Sequence, residues 1–194
     1  MRLIQLMPFG SVPADLLGHL REGISGEFAA PCSILDPEPE PAFAFNSARQ
    51  QYSSTEILAS LIRRVTPDTW RVLGVTSVDL YIPILTFVFG EAQLQGNCAV
   101  VSSFRLRQEF YGLPPDPALF RDRLLKESIH ELGHTFELLH CDDYQCVMSP
   151  SHGVEWIDLK ASRLCKACRA VTLGRAAKKA AIYGGVFRTN PSLE

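Results

Sequence analysis

The sequence predicts an α/β fold, a mixed twisted sheet with packed helices, and three observations carry that prediction. Short apolar runs bounded by glycine and proline alternate with stretches whose apolar residues recur three and four apart. The segments follow one another as β-α-β-(β)-α-β-β-β-α, the order expected of helices layered on a sheet. A chain of 194 residues, 46% hydrophobic and 21% charged, can bury a core of its own without staples. This composition excludes a disordered or fibrous chain.

The first strand is expected over Met1–Met7, ended by Pro8 and Gly10. Ser11 is a candidate N-cap, and Val12-Pro13 opens a helix with Leu16, Leu17, Leu20 and Ile24 on one stripe. Cys32–Leu35 reads as a second strand, and the acidic DPEPEP of residues 36–41 as a rigid turn. Ser53-Ser54-Thr55-Glu56 is a capping box, followed by the core stripe Ile57, Leu58, Leu61 and Ile62. Strands are expected at Trp70–Thr76, Ile84–Phe89 and Cys98–Ser103, with a turn over Gly90–Asn97. A long helix is expected over Pro117–Leu139 and a last one from about Trp156 to Ala181, with a loose tail from Gly184. The expected organisation is one compact domain in two parts: residues 1–140 hold the sheet and the long helix, and residues 141–194 hold a cysteine loop and the last helix.

The longest apolar run, Leu80–Phe89, is broken by Pro83 and Thr86 and is too short to span a bilayer. No membrane partner is expected. The first ten residues carry one arginine and no small-residue cleavage site, so a cytoplasmic location is expected. Net charge is −2, which gives no case for a nucleic-acid partner. Basic residues nevertheless collect at the end: from Lys160 onward there are eight Lys/Arg against the single acid Glu194.

Six cysteines are present, and four of them, Cys141, Cys146, Cys165 and Cys168, form C-x4-C and then C-x2-C. In a reducing compartment, paired close cysteines point to zinc rather than to disulfides. Cys32 and Cys98 lie in apolar segments and read as plain buried thiols. Within the long helix stands His130-Glu131-Leu132-Gly133-His134. Residues four apart project from one helix face, so both imidazoles can reach one zinc ion. Glu131 lies beside that face, where it can take a proton from a water activated by the metal. His140 follows six residues on, with Cys141 next to it. An unbroken helix would place His140 about 280° from His130, so the chain must turn sharply if His140 is to be a third ligand.

HELGHTFELLHC, then C-x-M, then C-x2-C resembles the archaemetzincins, a branch of the metzincin zinc peptidases with the pattern H-E-x-x-H-x-x-G-x-x-H-C. The likeness extends upstream through Ala48–Thr55, Leu73–Thr76 with Asp79-Leu80, Phe87–Ala92 and Ala99–Ser102. It implies a metzincin-like fold with a small C-terminal four-cysteine zinc subdomain, and a metallopeptidase. It implies a catalytic zinc on His130, His134 and His140, with Glu131 as general base and Met148 as an apolar floor beneath the metal. It implies a second, structural zinc on the four cysteines, which makes two zinc ions per chain. Lys160, Arg163, Lys166 and Arg169 are then expected to screen the thiolates. The strand before the zinc helix, with Ala99, Val100 and Val101, is implied as the edge that takes an extended peptide.

One position departs from the family pattern. Glu137 stands where the family has glycine, and that glycine turns the chain out of the helix with positive φ. Either the turn persists with Glu137 strained, or the helix runs on and His140 is displaced. The expected function is therefore a zinc metallopeptidase acting on small or unfolded peptides, with a monomer as the default. The alternative is a two-zinc module that binds peptides or partners through a degenerate site. A zinc-finger-like nucleic-acid binder using the basic end is weaker, because exposed aromatics are not interleaved with the charges.

Overall fold

In the computed structural model, residues 3–66 and 69–173 are described. A five-stranded sheet runs in the order β2-β1-β5-β8-β7, from β1 (Ile4–Phe9), β2 (Cys32–Ile34), β5 (Arg71–Thr76), β7 (Gly90–Ala92) and β8 (Cys98–Ser102). All neighbours are parallel except β7, which pairs antiparallel with β8 in the register Gly90↔Val101. A small second sheet joins β3 (Phe45–Asn46), β4 (Gln51–Ser53) and β6 (Leu80–Tyr81).

Successive side chains of a strand face opposite ways, and here each face meets helices. Ile4, Leu6, Leu73, Val75, Ala99 and Val101 face the cluster that holds α1 (Ala14–Phe28) and α3 (Pro117–Thr135). Met7, Phe9, Val72, Cys98 and Val100 face the other, which holds α2 (Ser54–Ile62). The predicted stripe Leu16, Leu17, Leu20 and Ile24 is buried, and the Ser53 side chain caps α2 by accepting from Glu56 N–H. Pro13, not Ser11, is the N-cap of α1, and it offers no side-chain bond.

Three element expectations are corrected. Ile84–Phe89 is not a strand but part of the loop after β6, meeting the sheets through the Leu80↔Val88 bridge and through Ser102 N–H on Phe89 O at 2.8 Å. Ile84 and Leu85 stay exposed while only Phe89 is buried in the core, so the apolar run lacks the burial of a core strand. The edge strand β7 stands where a turn was expected. The last helix is broken: α4 spans Val154–Leu159, an irregular stretch follows, and helix resumes over residues 166–173. The break falls where Lys160 turns inward and the chain delivers Cys165. The predicted continuation to Ala181, the tail from Gly184 and the start of the first strand at Met1 and Arg2 lie outside the described residues. Among the described residues no helix is long and apolar enough to cross a membrane.

Candidate active site and a cysteine cluster

Helix α3 starts at Asp116, whose side chain accepts from Leu119 N–H at 2.9 Å, with Pro117 in its first turn. It runs over the sheet and ends at Thr135, four residues sooner than expected. The ending is a Schellman motif. Leu138 N–H reaches back to Gly133 O at 3.2 Å, and Glu137 N–H to His134 O at 2.9 Å. Glu137 occupies the left-handed position with φ of 66°. The turn thus forms with glutamate in the family glycine's place, and the strained outcome of the two is the one observed. Arg71, buried on β5, donates to Thr135 O at 3.1 Å with its guanidinium over the Phe136 ring, placing a cation at the negative end of the helix.

This turn brings His140 back to His130 and His134. Their ring nitrogens come within 4.8 Å of one another, and the His140 ring lies 5.3 and 5.2 Å from the other two. His130 Nδ1 meets Val147 O at 2.9 Å and His134 Nδ1 meets Leu138 O at 2.8 Å. A carbonyl can only accept, so both Nδ1 atoms carry the proton and both Nε2 atoms present bare lone pairs. These Nε2 atoms face each other at 3.1 Å. Burial, first of all, depresses the basicity of both rings, with the Lys160 cation adding to it, so a shared proton is disfavoured. Two lone pairs at this distance repel unless a cation joins them. Tetrahedral zinc with N ligands needs a separation of about 3.3 Å, so the residues fit that ion.

Glu131 is buried beside the histidines, between α3 and β7. Burial, then the Glu127 and Glu91 carboxylates, push its carboxyl well above the ordinary range. Room for it comes from Gly90, where a Cβ would lie 2.6 Å from Glu131 Cγ and 2.5 Å from Val100 O. The histidines, Glu131, Glu127 and β7 line an open cleft of about 450 Å³. Met148 is fully buried, its sulfur against Gly133, where a Cβ would come within 2.3 Å. It therefore lies beneath the helical turn that carries the histidines.

The edge assignment changes. Ala99, Val100 and Val101 are fully buried in β8, which lies between β5 and β7 and has no free edge. β7 is the edge strand and lines the cleft. One more residue escaped sequence reading. Glu127, one turn before Glu131, forms a buried ion pair with Lys160 at 2.8 Å, and Lys160 also donates to Ser149 O. The i, i+4 spacing of the two glutamates was the available signal. His152 lines the same cleft.

Cys141, Cys146, Cys165 and Cys168 bring their sulfurs within 4.8 Å of one another as free thiols. Cys141 and Cys165 are 3.9 Å apart, far beyond a disulfide and close to the roughly 3.8 Å between sulfurs on tetrahedral zinc. The Cys165 thiol is lowered, first by hydrogen bonding to Cys168, whereas burial raises Cys168 and Cys146. Two of the expected screening cations are engaged elsewhere. A buried Lys160 needs a carboxylate, which is Glu127, and Arg169 forks onto Glu27 at 2.8 and 2.9 Å.

Comparison with known proteins agrees with this geometry. The family model described as peptidase family M54 matches residues 38–173. The archaemetzincin of Methanocaldococcus jannaschii is 46% identical over 165 residues, covering 85% of this chain and 89% of the relative. That of Pyrococcus furiosus is 41% identical over 172 residues, 86% and 90% of the two chains. Among solved structures, a zinc-dependent peptidase from Methanocorpusculum labreanum superimposes with TM-score 0.79 at 33% identity, over 87% of this chain and 99% of that one. The archaemetzincin from Archaeoglobus fulgidus, complexed with malonate, gives 0.75 at 35% identity, with the same coverage of each chain. With its sheet, its histidine cluster and these relatives in agreement, the chain belongs to peptidase family M54, the archaemetzincins, and is a zinc metallopeptidase.

Proposed function

We propose that this metallopeptidase hydrolyses peptide bonds with zinc held by His130, His134 and His140 and with Glu131 as general base. The observation that carries the reading is the pair of bare Nε2 atoms facing each other at 3.1 Å, each ring locked by its Nδ1 on a backbone carbonyl. Zinc supplies a Lewis acid that makes water a nucleophile at neutral pH and polarises the scissile carbonyl. Glu131 accepts the proton of the attacking water and returns it to the leaving amine. Its buried setting raises its affinity for a proton, which suits a carboxylate that must take a proton and hold it between those two events. The peptide extends along β7, whose free edge offers backbone hydrogen bonds, so small or unfolded chains are the substrates. The left-handed backbone of Glu137 supports this reading over a degenerate binding module, because the residue bends without displacing His140.

The four cysteines hold a second zinc that contributes folding free energy rather than chemistry. The working unit is a monomer without a nucleic-acid partner. Elemental analysis tests the metal count: two zinc ions per chain are expected, falling towards one in His140→Ala. Glu131→Gln should keep both ions and lose about 10²–10⁴ in kcat. One zinc in both wild type and His140→Ala, or full activity in Glu131→Gln, refutes the assignment.

A further inference from the structure

The loop of residues 82–88 carries two exposed apolar side chains, Ile84 and Leu85, that do not join the core. Ile84 is 86% exposed and Leu85 is 50% exposed, yet the loop is not loosely held. Half-buried Arg49 donates through Nη2 to Leu85 O at 2.7 Å and Thr86 O at 3.1 Å. Gln51 Nε2 adds a bond to Thr86 O at 3.0 Å, and Gln51 Oε1 in turn receives Arg49 Nε at 3.1 Å. Asp79 braces the set from behind, accepting from Gln51 and from both forks of Arg105. The Arg105 guanidinium lies 4.3 Å from the Phe87 ring centre. Arg49 is itself fixed, because Asn46 Oδ1 accepts its backbone N–H and the guanidinium lies 4.3 Å over the Tyr81 ring.

Leu85 and Phe87 line the same cleft as Glu131 and the histidines, and β7 continues directly from the loop. An exposed leucine beside the half-buried Phe87 costs free energy in water unless something covers it, and the network prevents the loop from folding over to cover itself. We propose that Arg49 is a positioning residue that holds this loop as a wall of the cleft, and that the wall selects peptides with a large apolar side chain. The assignment rests on the peptidase reading for the identity of the occupant and names the specificity of that site. Gln51 holds Thr86 O directly and supports Arg49, and Asp79 acts through Gln51 and Arg105, which gives a role to the Ala48–Thr55 and Asp79-Leu80 segments that the zinc chemistry leaves unused.

The test is binding of two labelled peptides, identical except for one leucine replaced by serine, to zinc-loaded Glu131→Gln protein, followed by fluorescence anisotropy. The leucine peptide is expected to bind roughly tenfold tighter or more, which is what burying that side chain supplies. Adding Arg49→Met should bring the ratio below about threefold, and Arg49→Lys, which keeps a donor but not the fork, should restore part of it. Leu85→Ser, at an exposed position that folding does not need, should flatten the ratio in the same way. A loss of stability alone would weaken both peptides together and leave the ratio intact. The proposal is overturned if Arg49→Met keeps the parent ratio, if the parent ratio is near one, or if neither peptide binds. Failure of the peptidase reading is separate: the leucine preference and its loss in Arg49→Met would persist while wild type leaves the bound peptide uncut.

Discussion

Replacing Gly90 by alanine isolates the placement of Glu131, the proposed general base. Gly90 does not occupy the left-handed region, so alanine adds no backbone strain, only a methyl group. That methyl would lie 2.5 Å from Val100 O, 2.6 Å from Glu131 Cγ and 2.8 Å from Glu131 Cδ, where ordinary contact begins at 3.4 Å. Relief requires a retreat of about 0.8–0.9 Å. The carbonyl belongs to β8, held on both sides by sheet bonds, so the glutamate must give most of the way. A displacement near 1 Å at a catalytic group costs about 10²-fold in rate. Overpacking costs about 1–3 kcal/mol, and each kcal/mol lowers the thermal midpoint by about 2–4 °C at this chain length. The assay is kcat/KM on an internally quenched peptide, alongside zinc content and thermal midpoint. Zinc should be unchanged, because the three histidines lie outside the clash. A kcat/KM within about threefold of wild type would refute the claim that Gly90 sets the position of Glu131.

Glu137→Gly should stabilise the zinc-loaded protein by about 0.5–1 kcal/mol, since a non-glycine residue in the left-handed region costs about 1–2 kcal/mol and glycine's freedom in the unfolded chain offsets part of the gain. A calorimetric midpoint that falls, at fixed zinc, would show that the glutamate side chain outweighs its strain. Thiol labelling with a disulfide-exchange reagent at pH 8 should find no fast cysteine in the zinc-loaded protein and four after chelation. Cys32, pushed to about 11 chiefly by burial, is an acid with a raised pKa, so its thiolate is scarce at pH 8 and its labelling should grow only as the pH approaches 11. Fast labelling of Cys32 at pH 8 would contradict that burial.

Sequence reading reached the elements whose signals are local. The Ser53 half of the expected capping box, its side chain accepting from Glu56 N–H, and the α1 stripe depend on neighbours three and four residues away, and both are observed. It failed where tertiary context decides. The run Ile84–Phe89 has the composition of a strand, but Arg49 and Gln51 hold its carbonyls away from the sheet. β7 is three residues long and polar at its centre, so its strand character comes from β8 alone. At the site, the histidines, Glu131 and the four cysteines were legible from spacing and likeness. The carbonyls of Val147 and Leu138 that lock the imidazoles were not, because any residue type can supply a carbonyl.

The two clusters are one construction rather than neighbours, and the reason lies in residues 146–148. Cys146 is a member of the thiol cluster, Val147 O orients His130, and Met148 fills the space under Gly133. Cys141, the residue after His140, binds back to Met148 O through its N–H at 3.0 Å, and Val147 N–H is tied to Arg163 O at 3.0 Å, two residues before Cys165. Whatever gathers the four sulfurs therefore also fixes the third histidine, the tautomer of the first and the floor beneath the helix. A left-handed glutamate at position 137 is tolerable in such a setting. The chain beyond it is anchored at Cys141 and by the buried Leu138, so relaxing the turn would mean dragging an entire cluster out of place at a cost above the ~1–2 kcal/mol of strain. Strain at this turn is thus held in place by the coupling of two clusters through a single peptide bond.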